Sequence, residues 1–407
     1  MWLKCAPLLL DLVFTGGDAG RMGFARLEGK NPRNTGRMPG FFHGAGPQKA
    51  RTGFNACAYR VLVQFEMSCD EGELFMHIRE EVLFLSEQDV LRLFSAQDAI
   101  AAAEDTFYHI GTGEITVGTM ALMYVDQEKG NNFHSMPAIL HHRDVSGVKW
   151  IDTYASPQPG YPFSHGNLVI VSDTVTGSPI AIVGATNITN MRTAGGHGVV
   201  QARALCNPNP EVLSVIGCGA QAQAGMWGFL AGFPSLRQIR LFSRSRAPME
   251  AMQRELSGRL EVVLCGSPQE AVGGSSLILM ASGAVTPLVT WDMLAPGATV
   301  IGIEGFRDMD PAIGKKADKW YLGYMPPDQV ILESPALNPG HTLCREDVFG
   351  DMTQLLTGKI PGRERADEII VSTHMGMGAH DVNSAYTIYL RAKEQGIGTK
   401  LVLDSGC

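Results

Sequence analysis

One short segment constrains the fold more than any other: an apolar run that ends in the glycine pattern G-x-G-x-x-A. The segment reads Glu211-Val-Leu-Ser-Val-Ile-Gly217-Cys218-Gly219-Ala220-Gln221-Ala222, and the spacing predicts a helix over Ala222–Phe233. In a dinucleotide site the first glycine makes a tight turn, the second lets the backbone approach a pyrophosphate, and the third small residue lets the helix pack on its strand. The pyrophosphate binds at the helix N-terminus, where free N–H groups favour negative charge. The candidate cofactor contacts are Gly217, Cys218, Gly219, Ala220 and Gln221, although an ordinary strand-to-helix turn can also carry two glycines.

A second apolar strand is predicted over Gln238–Phe242. The segment that follows it, Ser243-Arg244-Ser245-Arg246, carries two arginines. Sites that prefer NAD usually carry an acid here to bind the ribose 2′-OH, and this chain has none. A guanidinium instead pairs well with a 2′-phosphate dianion. Ser243 and Arg244 therefore favour NADP(H), with NAD(H) possible; the alternative is that the arginines are solvated on a surface turn.

Three more apolar segments follow, with short helical segments between them: Leu260–Cys265, Ser276–Ala281 and Ala298–Glu304. This β-α-β alternation predicts a parallel sheet that is covered on both faces. Ser282 stands directly after the second of these strands and is a further candidate cofactor contact. The fold class that we predict is α/β, with a Rossmann nucleotide-binding domain.

Size, charge and cysteine spacing narrow the classes of partner. A chain of 407 residues predicts two domains. The net charge of −8 without a basic run argues against nucleic acid or an anionic membrane surface as a partner. Eight cysteines without C-x-x-C or zinc-like spacing predict free thiols, no metal site and a cytoplasmic location. The chain has no apolar stretch long enough to span a bilayer.

The first 75 residues differ from the rest. The stretch 16–52 is rich in Gly, Arg, Asn and Pro and has no usable periodicity, and no convincing signal-peptide cleavage site follows the apolar run before it. Met76 resembles a natural start that leads into a strand and a capped helix. We therefore predict that residues 1–75 are a disordered leader or an over-long start assignment.

The rest of the chain predicts a second, α+β domain for the substrate. Two helices, Glu87–Phe94 and Ser95–Ile110, precede a series of short strands, and a further helix begins near Thr189 and runs to Leu205. The predicted strands are Ile115–Tyr124, Asn132–Ile139, Gly147–Tyr154, Gly166–Asp173 and Ile180–Val183. A last helix, Ala385–Gln395, ends at the cap residue Gly396 and is expected to return to this domain. The substrate and dimerisation domain is then discontinuous, residues 76–203 and 366–407, around a nucleotide domain at 204–365.

Four short motifs together resemble the ornithine cyclodeaminase/µ-crystallin family. They are, in the family's order and spacing, Gly147-Val-Lys149-Trp, Met191-Arg192-Thr193-Ala194, Gly217-Cys-Gly219-Ala-Gln221 and Gly396-Ile-Gly-Thr-Lys400. The resemblance covers about residues 76 to 404. The tail, including Met375-Gly-Met-Gly-Ala-His-Asp381, is most similar to the branch that contains N-(2-amino-2-carboxyethyl)-glutamate dehydrogenase. The resemblance implies a homodimer that binds NAD(H) or NADP(H) and a small amino or imino acid.

The resemblance also implies roles for particular residues. Lys149, in an apolar strand, would face the substrate and exchange a proton, since burial lowers a lysine pKa; alternatively it extends to the surface. Arg192 would bind the substrate carboxylate, or form a structural salt bridge. Thr193, next to it, would contact the cofactor. Glu304, at the carboxyl edge of the parallel sheet, would handle protons as an aspartate does in cyclodeaminases; alternatively it is a solvated loop acid.

Three more residues are weaker candidates. His197 and His134 are possible donors in the substrate pocket, although a structural histidine is as good an interpretation of His197. Asp381 matches an acid that lies near the nicotinamide in the family, or caps the last helix. The second carboxylate-binding arginine that many members carry near Ile115–Val117 is absent.

We therefore expect an NADP(H)-dependent oxidoreductase that acts on C–N bonds, as an imine reductase or an amino-acid dehydrogenase. The alternatives are a cyclodeaminase-type lyase that uses bound NAD, and a non-catalytic binder of small ligands like µ-crystallin.

Overall fold

A computed structural model describes residues 65–70, 73–78, 80–154 and 167–403, with side chains from residue 81 onwards. The chain divides into two units, residues 1–80 with 403–407 and residues 81–402. In the first unit, strands β1 (Phe65–Asp70) and β2 (Glu73–Ile78) form an antiparallel hairpin. The rest of the predicted leader lies outside the described residues, so its disorder stays a prediction.

The remaining described strands and helices run as follows. The strands are β3 (Glu80–Leu85), β4 (Ile115–Val117), β5 (Ala121–Asp126), β6 (Asn131–Leu140), β7 (Val145–Thr153), β8 (Leu168–Asp173), β9 (Pro179–Gly184), β10 (Val212–Ile216), β11 (Gln238–Phe242), β12 (Glu261–Leu264), β13 (Leu277–Met280), β14 (Thr299–Gly302), β15 (Lys319–Leu322), β16 (Gly350–Asp351), β17 (Ile370–Thr373) and β18 (Thr399–Leu403). The helices are α1 (Glu87–Leu93), α2 (Ala96–Thr112), α3 (Thr186–Asn190), α4 (Val199–Leu205), α5 (Ala220–Gly232), α6 (Arg246–Glu255), α7 (Pro268–Val272), α8 (Ala312–Lys316), α9 (Met325–Asp328), α10 (Val330–Glu333), α11 (Met352–Leu356) and α12 (Gly378–Gln395). A π-helical segment, Met191–Gly198, joins α3 to α4.

Eight strands form a sheet in the order β12-β11-β10-β13-β14-β17-β15-β16, and every described pairing in it is parallel. Its central strands β13 and β14 are buried along their whole length, as expected for a sheet covered on both faces. This confirms the predicted Rossmann fold. The sheet also includes β17, which follows residue 365 in the chain.

The second sheet, in the order β18-β3-β9-β8-β7-β6-β4, is mostly antiparallel, and β5 pairs with β6. Helix α12 packs against β6, β7 and β8, as predicted for the last helix. Two elements differ most from the prediction. The single strand expected at 115–124 is two strands, because the chain leaves β4 at Gly118. Helix α12 begins at Gly378 rather than Ala385, which places Asp381 in its first turn.

Small residues bring the π-helical segment into contact with α5. A Cβ atom on Gly225 would lie 2.3 Å from Ala194 Cβ, and one on Gly228 would lie 2.3 Å from the Gly195 carbonyl oxygen. The helix that begins at the glycine motif therefore packs on the segment that carries Arg192. No helix in the described part of the chain is long and apolar enough to cross a membrane.

This close approach makes Gly228 sensitive to substitution. The Gly228→Ala variant is expected to lower the free energy of unfolding by about 1–3 kcal/mol, because the added methyl group overpacks a backbone contact. Urea denaturation measures the change. Gly283→Ala is the matched control, since no atom lies within 4 Å of a Cβ at Gly283. Equal losses in the two variants would contradict the packing argument.

Candidate active site

The glycine motif has the geometry that a dinucleotide pyrophosphate requires. Gly217 has φ +102°, and a Cβ there would lie 2.3 Å from the Ala281 carbonyl oxygen, so only glycine fits the turn. Gly219 begins α5 without a side-chain cap, and a Cβ on it would meet no atom within 4 Å. Gly219 and Ala220 are exposed, so a phosphate can approach the first turn of α5, where helix N–H groups have no partner within the helix.

Two motif residues connect this turn to the rest of the molecule. Buried Cys218 packs in the core, and burial raises the pKa of its thiol to about 12, so it is not a thiolate nucleophile. The Gln221 side-chain amide donates to Asn190 Oδ1 at 3.2 Å, two residues before Arg192. Ala220 is the first residue of α5. The nucleotide loop is thus hydrogen-bonded to the helix that carries Arg192.

Among the other predicted cofactor contacts, Ser243 and Arg244 follow β11, and Ser282 lies shortly after β13. Arg244 is exposed after β11, next to half-buried Ser243, whereas Arg246 forms an ion pair with Glu250 at 2.8 Å. The Ser282 hydroxyl donates to Asp308 Oδ2 at 2.8 Å. The Thr193 hydroxyl donates to the Thr189 carbonyl within its own helix.

Lys149, Arg192 and Asp381 form one buried cluster. Lys149 lies at the centre of β7 with its side chain fully buried, and Nζ donates to Asp381 Oδ1 at 3.0 Å and to Thr189 Oγ1 at 2.6 Å. Arg192 Nε donates to the same Asp381 oxygen at 3.1 Å. Two cations therefore share one carboxylate at the N-terminal end of α12, where the helix dipole favours negative charge. Lys149 does not extend to the surface.

Burial changes the acidity of Lys149. It lowers the pKa of the ammonium to about 8, and the charge of Arg192 lowers it as well, while Asp381 opposes both effects. A lysine with this pKa changes protonation state near neutral pH, which is the property that a proton donor or acceptor in catalysis needs.

Two polar atoms of the cluster have no hydrogen-bond partner among the described residues. These are Arg192 Nη1, a donor, and Asp381 Oδ2, an acceptor, and both are buried. Gly376, with φ +82°, packs directly on this guanidinium, since a Cβ there would lie 2.4 Å from Nη1. Buried polar atoms without partners are costly unless a ligand or water satisfies them. Arg192 Nη1 can therefore donate one further hydrogen bond, and Asp381 Oδ2 can accept one.

Glu304 lies outside this cluster. Its carboxylate pairs with Arg307 Nη2 at 2.5 Å, beyond the end of β14. Burial raises its pKa, and the neighbouring Asp308 adds to the rise, while Arg307 opposes it. The structure therefore places this predicted catalytic acid at the carboxyl edge of the parallel sheet, in an ion pair with Arg307.

The two predicted pocket histidines have different surroundings. His134 lies half-buried on β6, with Nε2 at 2.5 Å from Asn132 Oδ1, and burial together with the charge of Lys149 lowers its pKa. His197 is fully buried, with its ring 3.6 Å from that of His380 and 4.5 Å from that of His374, centroid to centroid. We call His197, His374 and His380 the histidine cluster.

The sequence interpretation missed two features of the site. Thr189 Oγ1 accepts from Lys149, and Asp381 is the shared counter-ion. Asp381 does not cap α12, because the N-cap residue is Met377, which makes no side-chain cap hydrogen bond. Asp381 stands 232 residues after Lys149 in the chain, so no local pattern could connect the two. The family match at Asp381 was the one available signal.

Comparisons with known proteins identify the family of the chain. The model of the ornithine cyclodeaminase/mu-crystallin family matches residues 80–396. The N-((2S)-2-amino-2-carboxyethyl)-L-glutamate dehydrogenase of Staphylococcus aureus is 30% identical over 266 residues, which cover 64% of this chain and 78% of that protein. The alanine dehydrogenase of Archaeoglobus fulgidus is 26% identical over 332 residues, which cover 79% of this chain and 98% of that protein.

Solved structures show the same fold. An archaeal alanine dehydrogenase dimer with bound NAD superposes with a TM-score of 0.72 at 24% identity, covering 79% of this chain and 99% of that one. The Δ1-pyrroline-2-carboxylate reductase of Thermococcus litoralis, in complex with NADH and L-proline, gives a TM-score of 0.69 at 21% identity, covering 79% of this chain and 100% of that one. With the family model matched over most of its described residues, this chain belongs to the ornithine cyclodeaminase/mu-crystallin family.

Proposed function

We propose that the protein is an NAD(P)H-dependent oxidoreductase that reduces the C=N bond of an imino acid and, in reverse, oxidises the corresponding amine. The buried Lys149–Asp381–Arg192 cluster carries the proposal, because its two unpartnered atoms, Arg192 Nη1 and Asp381 Oδ2, suit a carboxylate beside a nitrogen. Relatives named as alanine dehydrogenase, ketimine reductase and Δ1-pyrroline-2-carboxylate reductase support the same class of reaction.

The chain's own groups account for binding and proton transfer. Arg192 holds the substrate carboxylate through Nη1, and Asp381 keeps the guanidinium and the Lys149 ammonium in place. Lys149 donates a proton to the imine nitrogen as the C=N bond becomes a C–N bond. When bound, the nicotinamide supplies the hydride that the substrate carbon receives. Because the substrate carboxylate and the proton donor are held in place before the reaction, positioning and carboxylate binding contribute much of the rate.

The cofactor that we propose is NADP(H). Arg244 is exposed at the end of β11, and no ion pair of the described residues engages it, whereas Arg246 is paired with Glu250. A free guanidinium at this strand end suits the 2′-phosphate, where an acid would bind the ribose of NAD.

The cofactor preference gives a direct prediction. Arg244→Gln is expected to raise KM for NADPH by about 10–100-fold, the loss of one or two charge-assisted hydrogen bonds, with little change in KM for NADH. Arg246→Gln is the control, since its partner Glu250 already engages that guanidinium. Steady-state kinetics with both cofactors make the measurement. An unchanged NADPH to NADH ratio in Arg244→Gln would contradict NADP(H) specificity.

The outer face of the mixed sheet supports a homodimer. Trp150 and Ile170 are each 39% exposed there, and Leu168 beside them is 37% exposed. An exposed group of large apolar side chains on a sheet face is typical of a protein–protein interface. We propose that a second copy of the chain covers this face. The cytoplasmic location and the domain boundaries stay predictions.

One assay tests the proposed reaction. Purified protein is mixed with NADPH or NADH and a set of cyclic ketimine carboxylates, and the absorbance of the reduced cofactor is followed. The proposal expects oxidation of the cofactor with at least one ketimine. If both cofactors stay reduced while ammonia is released from a diamino acid in the presence of NAD⁺, the protein is a lyase. Ligand binding without turnover would make it a binding protein.

A further inference from the structure

A group of side chains outside the predicted active site joins α2 to the 3₁₀ turn His141–Arg143. Asp105 and His109 are four residues apart on α2 and therefore share a face. The turn adds His142, whose ring stacks on that of His109 with centroids 3.8 Å apart. One ligand-type atom from each of Asp105, His109 and His142 lies within 4.8 Å of the others. We call these three residues the Asp105 site.

The spacing of the ligand-type atoms suits a metal ion. His109 Nε2 lies 3.5 Å from Asp105 Oδ1, and His142 Nε2 lies 3.2 Å from Asp105 Oδ2. Around a tetrahedral zinc ion with bonds of about 2.0–2.2 Å, neighbouring ligand atoms are about 3.3–3.6 Å apart. The two observed separations fall close to that range.

Neighbouring side chains orient two of the three ligands, His109 and Asp105. Glu114 Oε2 lies 2.8 Å from His109 Nδ1. Since the carboxylate only accepts, Nδ1 donates to it, and Nε2 is the ring atom that faces Asp105. Metal-binding histidines characteristically donate their second ring N–H to a carboxylate in this way. Asn383 Nδ2 donates to Asp105 Oδ2 at 2.9 Å and thereby orients the Asp105 carboxylate.

The charges at the site also favour a cation. The Asp105 carboxylate accepts from Asn383 and already attracts one cation. Arg143 currently provides the compensating charge, with Nη2 at 3.3 Å from Asp105 Oδ2 and Nε donating to His142 Nε2 at 3.3 Å. Its side chain is 27% exposed. Moreover, His142 Nδ1 is buried without a hydrogen-bond partner among the described residues.

We propose that the Asp105 site binds one divalent transition-metal ion of the zinc type, through one carboxylate and two imidazoles, with water completing the coordination. Arg143 competes with the ion for the same ligands. The set of nitrogen and oxygen ligands favours zinc, cobalt or nickel over magnesium or calcium, which prefer oxygen alone. The site ties α2 to α12 through Asn383, and it is independent of the proposed reaction.

The test uses the full chain after removal of metal with a chelator. Co²⁺ is titrated and followed by its visible absorption, and Zn²⁺ affinity is measured by competition with Co²⁺. We expect one equivalent at this site, without a thiolate charge-transfer band. His109→Ala and His142→Ala should each weaken binding at least tenfold, and Arg143→Gln should tighten it. His141→Ala is the control, because that ring contacts Thr116 instead.

Melting of each variant in chelator shows whether it is folded. Absence of a one-equivalent Co²⁺ site would overturn the proposal. So would parent-like affinity in a folded His109→Ala/His142→Ala double variant, or a thiolate band that accounts for all the bound metal.

Discussion

Lys149→Met is expected to lower kcat/KM for imine reduction by about 10²–10⁴-fold, the usual contribution of a positioned general acid. Methionine has a similar length and fills the same buried space, but it has no proton to donate. The fold should survive, because the change removes one of two buried cations and leaves Arg192 paired with Asp381. NADPH binding, measured by cofactor fluorescence, should be unchanged, because the glycine motif lies on another sheet.

The pH dependence of the parent enzyme provides the matching test. With the Lys149 pKa lowered to about 8, the ammonium is the main form below that pH and the neutral amine above it. Imine reduction, which needs the proton, should therefore slow as pH rises through about 8, and amine oxidation should accelerate over the same range. Lys149→Met should lose both dependences. Activity within threefold of the parent in that variant would remove Lys149 from the chemistry.

The second large effect is loss of stability in acid. His197, His374 and His380 are buried, and desolvation first, then nearby charge including that of Arg192, lowers the pKa of each ring, to about 3 for His374. Folded, the rings stay neutral, while in the unfolded chain they bind protons below about pH 6.5. The contribution of the three neutral rings to the free energy of unfolding is therefore fully present above pH 6.5. It is lost as the pH falls below that value, at about 1.4 kcal/mol per pH unit for each ring.

At pH 5 the histidine cluster therefore lowers the free energy of unfolding by about 6 kcal/mol in total, relative to its value above pH 6.5. Asp328 acts in the opposite direction: burial raises its pKa to about 7, so the folded state gains a proton, and about 2 kcal/mol of stability, between pH 7 and 5. Together these two contributions lower the free energy of unfolding by about 4 kcal/mol, a large part of the stability of an ordinary domain. Urea denaturation between pH 7 and 5 measures it.

A single-site variant assigns that loss to the histidine cluster. His197→Leu fills a similar volume beside Phe107 and removes one titrating ring. The slope of unfolding free energy against pH should fall by about 1.4 kcal/mol per pH unit below pH 6. His341→Leu, an exposed histidine, is the control and should leave the slope unchanged. Equal slopes in the parent and His197→Leu would show that other groups cause the acid instability.

The sequence was sufficient for the parts of the fold that depend on local pattern. The turn at Gly217 needs a positive φ, and β11 and β13 are short apolar runs bounded by polar residues, so their positions could be predicted. The start of α12 could not be predicted in this way. The segment from Met375 to Gly378 has two glycines and weak helix propensity. The helix begins there because its first turn packs on β6, where a Cβ on Gly378 would lie 2.1 Å from the Met136 carbonyl oxygen.

The candidate site could also be predicted only where it depends on local motifs. Lys149 and Arg192 were recognised from motifs, but their shared bond to Asp381 depends on how α12 crosses β7. The histidine cluster draws on the π-helical segment, the end of β17 and α12, which lie far apart in the chain. Contacts of this kind arise from tertiary packing, and no spacing in a single sequence records them.

Transfer of labelled hydride tests the proposed reaction most directly. The enzyme is given a cyclic ketimine carboxylate and NADPH that carries deuterium at both C4 positions, and the product is analysed by mass spectrometry and NMR. The proposed reaction predicts one deuterium per product molecule, on the carbon bonded to nitrogen, with one equivalent of NADPH oxidised. An amine product without deuterium, or no product while a diamino acid loses ammonia and the cofactor is unchanged, would contradict it.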